Sequence, residues 1–98
     1  MKRLRYATPA SHDISDILCY IARDNPSAAD RLADRVEREC QRIAADPDRG
    51  THHDDLPRDL LVYRISSYLI IYQVEQSDVM ILRVVHGARD LGSMFSEE

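Results

Sequence analysis

Three apolar runs crowd the C-terminal half of this chain: Leu60 to Ile65, Tyr68 to Val74 and Val79 to Val85. They are rich in Val, Ile and Tyr, and only Ser66-Ser67 and the stretch Glu75 to Asp78 separate them. Runs of this length and composition, punctuated so closely, predict three antiparallel strands in a meander. In the last run, strict alternation places Met80, Leu82 and Val84 on one face and Val79, Ile81, Arg83 and Val85 on the other. The middle run sets Leu69 and Ile71 against Tyr68, Ile70, Tyr72 and Val74. Both faces of the sheet are therefore apolar, whereas an antiparallel sheet normally turns one polar face to water. Two outcomes stay open. The C-terminal tail, through Leu91, Met94 and Phe95, folds back over the second face, or that face is a docking surface for another chain.

The first half of the chain reads differently. Arg3 to Ala7 predicts a short strand, and Thr8-Pro9 a helix start, with Thr8 as the cap and Pro9 at the first helical position. Ala10, Ile14, Ile17, Leu18 and Ile21 then recur at helical spacing, with His12, Asp16 and Arg23 opposite, giving a helix over 9–24. Asn25-Pro26 repeats the start signal. A second helix runs to about Ala45, where Pro47 stops it, and buries Ala29, Leu32, Ala33, Val36, Cys40, Ile43 and Ala44. The short connection makes the pair a tight helical hairpin. Asp46 to Asp59, with two prolines and Gly50, reads as loop. The expected fold is α+β: an N-terminal strand, a helical hairpin and a three-stranded antiparallel meander, in one domain over 1–98.

Composition narrows the function. With 98 residues, 44% hydrophobic and 31% charged, the chain is an ordinary globular domain. Its apolar stretches are too short to span a bilayer. The basic N-terminus lacks a following apolar segment, which removes a secretory leader and makes the cytoplasm the default location. Cys19 and Cys40 do not form a disulfide framework. A net charge of −4 speaks against direct, specific nucleic-acid binding. Twelve of the thirteen basic residues are Arg, so a local basic patch would make forked contacts. His52-His53-Asp54-Asp55 lacks metal-ligand spacing and reads as a solvated loop. No motif asks for a cofactor.

Among single residues, Arg83 is conspicuous because it interrupts an apolar strand. It either extends its head to water or pairs with an acidic group, of this chain or of a partner. Arg31, Arg35, Arg38 and Arg42 line the outer face of the second helix, either as a salt-laced surface or as a contact for an acidic segment.

Tyr68-Leu69-Ile70-Ile71-Tyr72-Gln73-Val74, the run Val79 to Val85, and then His86-Gly87-Ala88-Arg89-Asp90 resemble the C-terminal signature of the ParE toxins. These plasmid stabilisation toxins form part of the RelE/ParE superfamily. Asp13 to Ile17, Tyr20 to Ala22, the Asn25-Pro26 hinge and Ile43 to Gly50 are similar to its first half. The resemblance implies the toxin of a type II toxin–antitoxin system, neutralised by a ParD-like antitoxin and characteristically directed against DNA gyrase. Relatives on the RelE side cleave mRNA on the ribosome instead. Such cleavage needs a base, an acid and cations on the phosphate. Arg64, Arg83, His86 and Arg89 are the groups to supply them, yet the chain has one Lys and no Tyr after Tyr72. The expectation is a non-enzymatic toxin without catalytic residues, with mRNA cleavage or a degenerate antitoxin-binding module as the alternatives. Arg64, Tyr68, Tyr72, Arg83, His86, Arg89 and Asp90 are the candidates for partner binding or activity. Arg89 and Asp90 have a plainer role open to them, tying the tail to the sheet, and His86 that of capping a strand end.

Overall fold

A computed structural model describes residues 1–87 and 91. β1 (Arg3–Tyr6) leads into α1 (Thr8–Ala22) and α2 (Pro26–Ala45), and a short 3-10 turn (Pro47–Arg49) and a loop carry the chain to β2 (Leu60–Ile65), β3 (Tyr68–Val74) and β4 (Asp78–His86). The element order is the one expected. All four strands join one sheet in the order β1-β4-β3-β2. The meander is antiparallel, and β1 pairs parallel to β4, because the helical hairpin carries the chain back across the sheet before β4 is reached.

The two helix starts use different chemistry. Asn25 caps α2 by accepting the Ala28 amide at 3.1 Å, as its position predicted. At α1 the cap is Ala7, in extended conformation and without a side-chain bond, and Thr8 is already helical. Pro9, pre-set for the first turn, makes a polar cap less necessary there.

The helices bury Ala10, Val36, Cys40 and Ile43 against Ile65, Ile70, Tyr72, Val79, Ile81 and Val84. Strict alternation fails in β4. Ile71 pairs with Arg83 and Tyr72 with Ile81, so Leu82 has no partner of its own and forms a bulge. The extra residue changes the phase of the strand. Val79, Ile81 and Val84 join the helix-side core, while Leu82 and Val85 join the other side. Val84 and Val85 thus exchange the faces that period-two reading assigned to them.

The second face is closed by the chain itself. Leu60, Val62, Leu69, Ile71 and Val85 pack there under Leu56 from the loop and Leu91 from the tail. Ile71 is 0% exposed and Leu91 4%. Burying one such side chain contributes roughly 1.5–3 kcal/mol, so this is a second core. The roofed outcome holds for the described residues, and the unroofed docking face does not; Met94 and Phe95 lie outside them.

Tyr72 ties the loop down at the far end of the sheet. Its hydroxyl donates to the Pro47 carbonyl at 2.6 Å and accepts the Gly50 amide at 2.8 Å. A methyl group on Gly50 would sit 2.8 Å from a Tyr72 ring carbon, which is why glycine stands there. Beyond it, Thr51 bridges Val62 through both backbone bonds and shields the β2 edge.

Candidate functional site

β4 outruns β1. Pairing between them stops at Tyr6 and Ile81, because Thr8-Pro9 turns the chain into α1. The rest of the β4 edge needs another partner, and Asp13, one turn into α1, provides it. Its carboxylate accepts the Val84 amide at 3.0 Å and grips the Arg83 guanidinium at 2.7 Å (Nε) and 3.0 Å (Nη2). The pair is largely shielded, with side-chain exposures of 27% for Arg83 and 17% for Asp13. The hydrogen bonds to Asp13 raise the Arg83 pKa, outweighing the opposing effect of burial. Arg83 therefore pairs within its own chain. The sequence carried a signal for this. Asp13 flanks the apolar stripe of α1, one step from Ala10 and Ile17, and a carboxylate beside a buried stripe matches a cation inside a buried strand.

The other candidates divide. Tyr68 and His86 face each other across β3 and β4, their rings edge-to-face at 5.7 Å. Gly87, next to His86, donates its amide to Ser67 at 2.7 Å, and the Arg64 guanidinium lies against it close enough that a side chain would crowd it. Tyr68 and His86 thus meet near the Ser66-Ser67 turn, Tyr68 on the helix side of the sheet, while Arg64 lies on the opposite face beside Val62, Leu69 and Leu91. A polar depression of about 240 Å³ beside Arg64 and Gly87 includes His53 and Asp55. Tyr72 is fully buried at the opposite end of β3, where its hydroxyl serves the loop. Arg89 and Asp90 lie outside the described residues. Among the described residues, no group of His, Cys, Asp or Glu is placed to hold a metal ion.

A second surface was not legible. A groove of about 500 Å³ runs between β1, α1 and α2, floored by Leu4, Tyr6, Ile14, Leu18 and Val36. Tyr6 is 37% exposed there. Burial and the neighbouring Cys40 thiol push the Tyr6 phenol well above its ordinary pKa. Burial likewise pushes the Cys40 thiol up to about 11. The rim of the sheet beside this groove is basic. Arg3 and Arg5 share the single carboxylate of Asp78, at 2.9 and 3.5 Å, and Lys2 donates to the carbonyls of Glu75 and Gln76. The hydrogen bond from Arg3 leads the effects that lower the Asp78 pKa. On α2, Glu39 is buried despite its charge because Tyr63 donates to it at 3.1 Å and Arg42 lies 3.4 Å away.

Residues 4–91 match the family described as ParE toxin of the type II toxin–antitoxin system, parDE. Toxin ParE3 of Caulobacter vibrioides is 24% identical over 99 residues, covering 100% of this chain and 99% of its own length. Toxin RelE2 of the same organism is 33% identical over 89 residues, 91% of this chain and 99% of its own. Among solved structures, a chain of the chromosomal ParDE TA system from P. aeruginosa superposes with a TM-score of 0.76 at 13% identity, covering 88% of this chain and 96% of that one. A chain of the toxin–antitoxin complex RelBE2 from Mycobacterium tuberculosis gives 0.62 at 22%, covering 87% and 96%.

Proposed function

This chain belongs to the ParE toxin family of type II toxin–antitoxin systems, within the RelE/ParE superfamily, and from that premise we propose that it is a non-nucleolytic cytoplasmic toxin directed against DNA gyrase and restrained by a ParD-like antitoxin. The observation that carries the choice of target is the Asp13–Arg83 clamp. A nuclease needs a guanidinium free to meet a phosphate. The Nε–Nη2 edge of the Arg83 guanidinium is held by Asp13, and the same carboxylate would repel an approaching phosphate. Among the described residues, Arg64 and His86, on opposite faces of the sheet, do not together supply an acid, a base and a phosphate clamp. The net charge of −4 further disfavours docking on ribosomal RNA. An antitoxin partner is supported by the solved neighbours, which come from a ParDE system and a RelBE2 complex.

A second reading, mRNA cleavage, draws support from the 33% identity to RelE2 and from the Tyr68–His86 pair. One preparation of the full chain separates the two. It is added to a gyrase supercoiling reaction and, in parallel, to programmed ribosomes. The proposal expects supercoiling to fall while mRNA stays intact. Message cleavage that disappears with His86→Ala, with supercoiling untouched, would select the nuclease.

A further inference from the structure

The outer face of α2 carries a row of arginines. Arg31, Arg35, Arg38 and Arg42 are all exposed. At 100° per residue they gather within roughly 60°, opposite Ala29, Val36, Cys40, Ile43 and Ala44, which the helix buries. The row is about 16 Å long at the rise of an α-helix. Its members stand three or four positions apart, so their like charges repel one another and weaken the helix. The chain does little to relieve this. Among the described residues, only Arg42 of the four makes an ion pair, with Glu39 at 3.4 Å. Asp34 stands at i,i+4 to Arg38 and does not pair with it.

The acids of α2 lie to one side of the row. Glu37 borders the apolar groove, and Asp34 stands on the same flank, as Asp30 does by helical spacing. On the other flank Glu39 is buried, bonded to Tyr63 and paired with Arg42. An anion approaching over Arg35 therefore meets guanidinium groups before any exposed carboxylate of α2. The core of a protein interface is apolar or aromatic, and among the described residues the exposed large apolar side chains, Met1, Tyr6, Tyr20 and Val74, all lie off α2. A lipid surface would need the apolar face of the helix, which is in the core. A phosphate backbone needs neither, because it binds through charge, and the planar fork of Arg fits phosphate oxygens. We infer that the α2 arginine row lies along the phosphate backbone of duplex DNA as a sequence-independent contact. This deepens the gyrase reading above and rests on it for the source of the DNA. The net charge of −4 opposes capture by bare DNA at physiological salt. Contact with a DNA-bound enzyme raises the local phosphate concentration and brings the row into play.

The test uses the full chain, a short labelled DNA duplex and a triple variant, Arg31→Gln, Arg35→Gln and Arg38→Gln, which leaves Arg42 to Glu39. Gln matches Arg closely in helix propensity, and circular dichroism checks the fold. By fluorescence anisotropy at low salt, the wild-type chain should bind the duplex at least about ten-fold more tightly than the variant, and the slope of log affinity against log salt should shrink by about three in the variant. Lys at the same three positions should restore affinity to within about three-fold, since the charge returns. DNA-loaded gyrase should bind the wild-type chain about ten-fold more tightly than DNA-free gyrase does, and the variant should bind the two alike. Absence of duplex binding at low salt, or equal affinities for wild type and variant, would overturn the inference. So would tighter binding of an equally charged Glu-rich peptide, which would assign the row to an acidic protein, or of duplex RNA. If the variant matches wild type on DNA while both still lower supercoiling, the DNA contact falls and the functional reading stands. If the duplex binds as described while gyrase is untouched, the reverse holds.

Discussion

The two apolar surfaces outside the main core are built from similar residues and have opposite fates. The second sheet face, around Ile71 and Val85, is sealed by Leu56 and Leu91. Among the described residues, none closes the groove around Leu18 and Tyr6. The difference lies in what the chain has left to cover them. A loop and a tail reach the first, whereas the second lies along a terminal strand. Hydrophobic pattern specifies that a side chain should be buried, and connectivity decides whether the chain itself can do it.

The comparison breaks first at Ile71. Ile71→Ala, at a fully buried position, should cost about 2–5 kcal/mol in urea unfolding. A cost under about 1 kcal/mol would mean that the second face is not a core. Next comes the clamp at the β4 edge. Asp13→Ala leaves a shielded guanidinium and a backbone amide unpaired and should cost about 2–3 kcal/mol, discounted from a fully buried pair for its residual exposure. Asp13→Asn retains an acceptor for Val84 and should cost less. Tyr72→Phe removes both loop bonds and should cost about 1–2 kcal/mol, with faster proteolysis after Pro47 as a local readout. Leu18→Ala, on the open groove, should change stability by less than about 1 kcal/mol while weakening partner binding.

Alkaline titration sharpens the same contrast. The Cys40 thiol is held at about 11 against an ordinary 9.0, so the unfolded chain loses that proton first. Stability should therefore fall as pH rises from about 9 to 11. Tyr6 and Tyr72, also raised by burial, extend the loss to higher pH. Cys40→Ala should flatten the part between 9 and 11. At the acid end Asp78 acts in the opposite sense. Its lowered pKa gives stability that is complete above the ordinary carboxylate range and lost as pH falls through the folded value.

Local signals were legible because they depend on neighbours in the chain. The Asn25 cap, the Pro47 stop, the α2 stripe and the meander all rest on residues a few positions apart. The features that escaped depend on distant ones. The bulge opposite Ile71 answers to strand register, which period-two counting cannot see. Pairing of β1 with β4 joins residues more than seventy positions apart. Burial of Glu39 needs Tyr63 to satisfy it. At the candidate site, Tyr68 and His86 came together, Arg64 lay on the opposite face, Tyr72 was absorbed by the loop, and Arg83 found its acid in Asp13.

Amide hydrogen exchange of the full chain tests the contrast directly. Ile71 and Val85 should exchange slowly, while Leu4 and Tyr6 on the terminal strand should exchange fast. Fast exchange at Ile71 and Val85 with slow exchange at Leu4 and Tyr6 would contradict it.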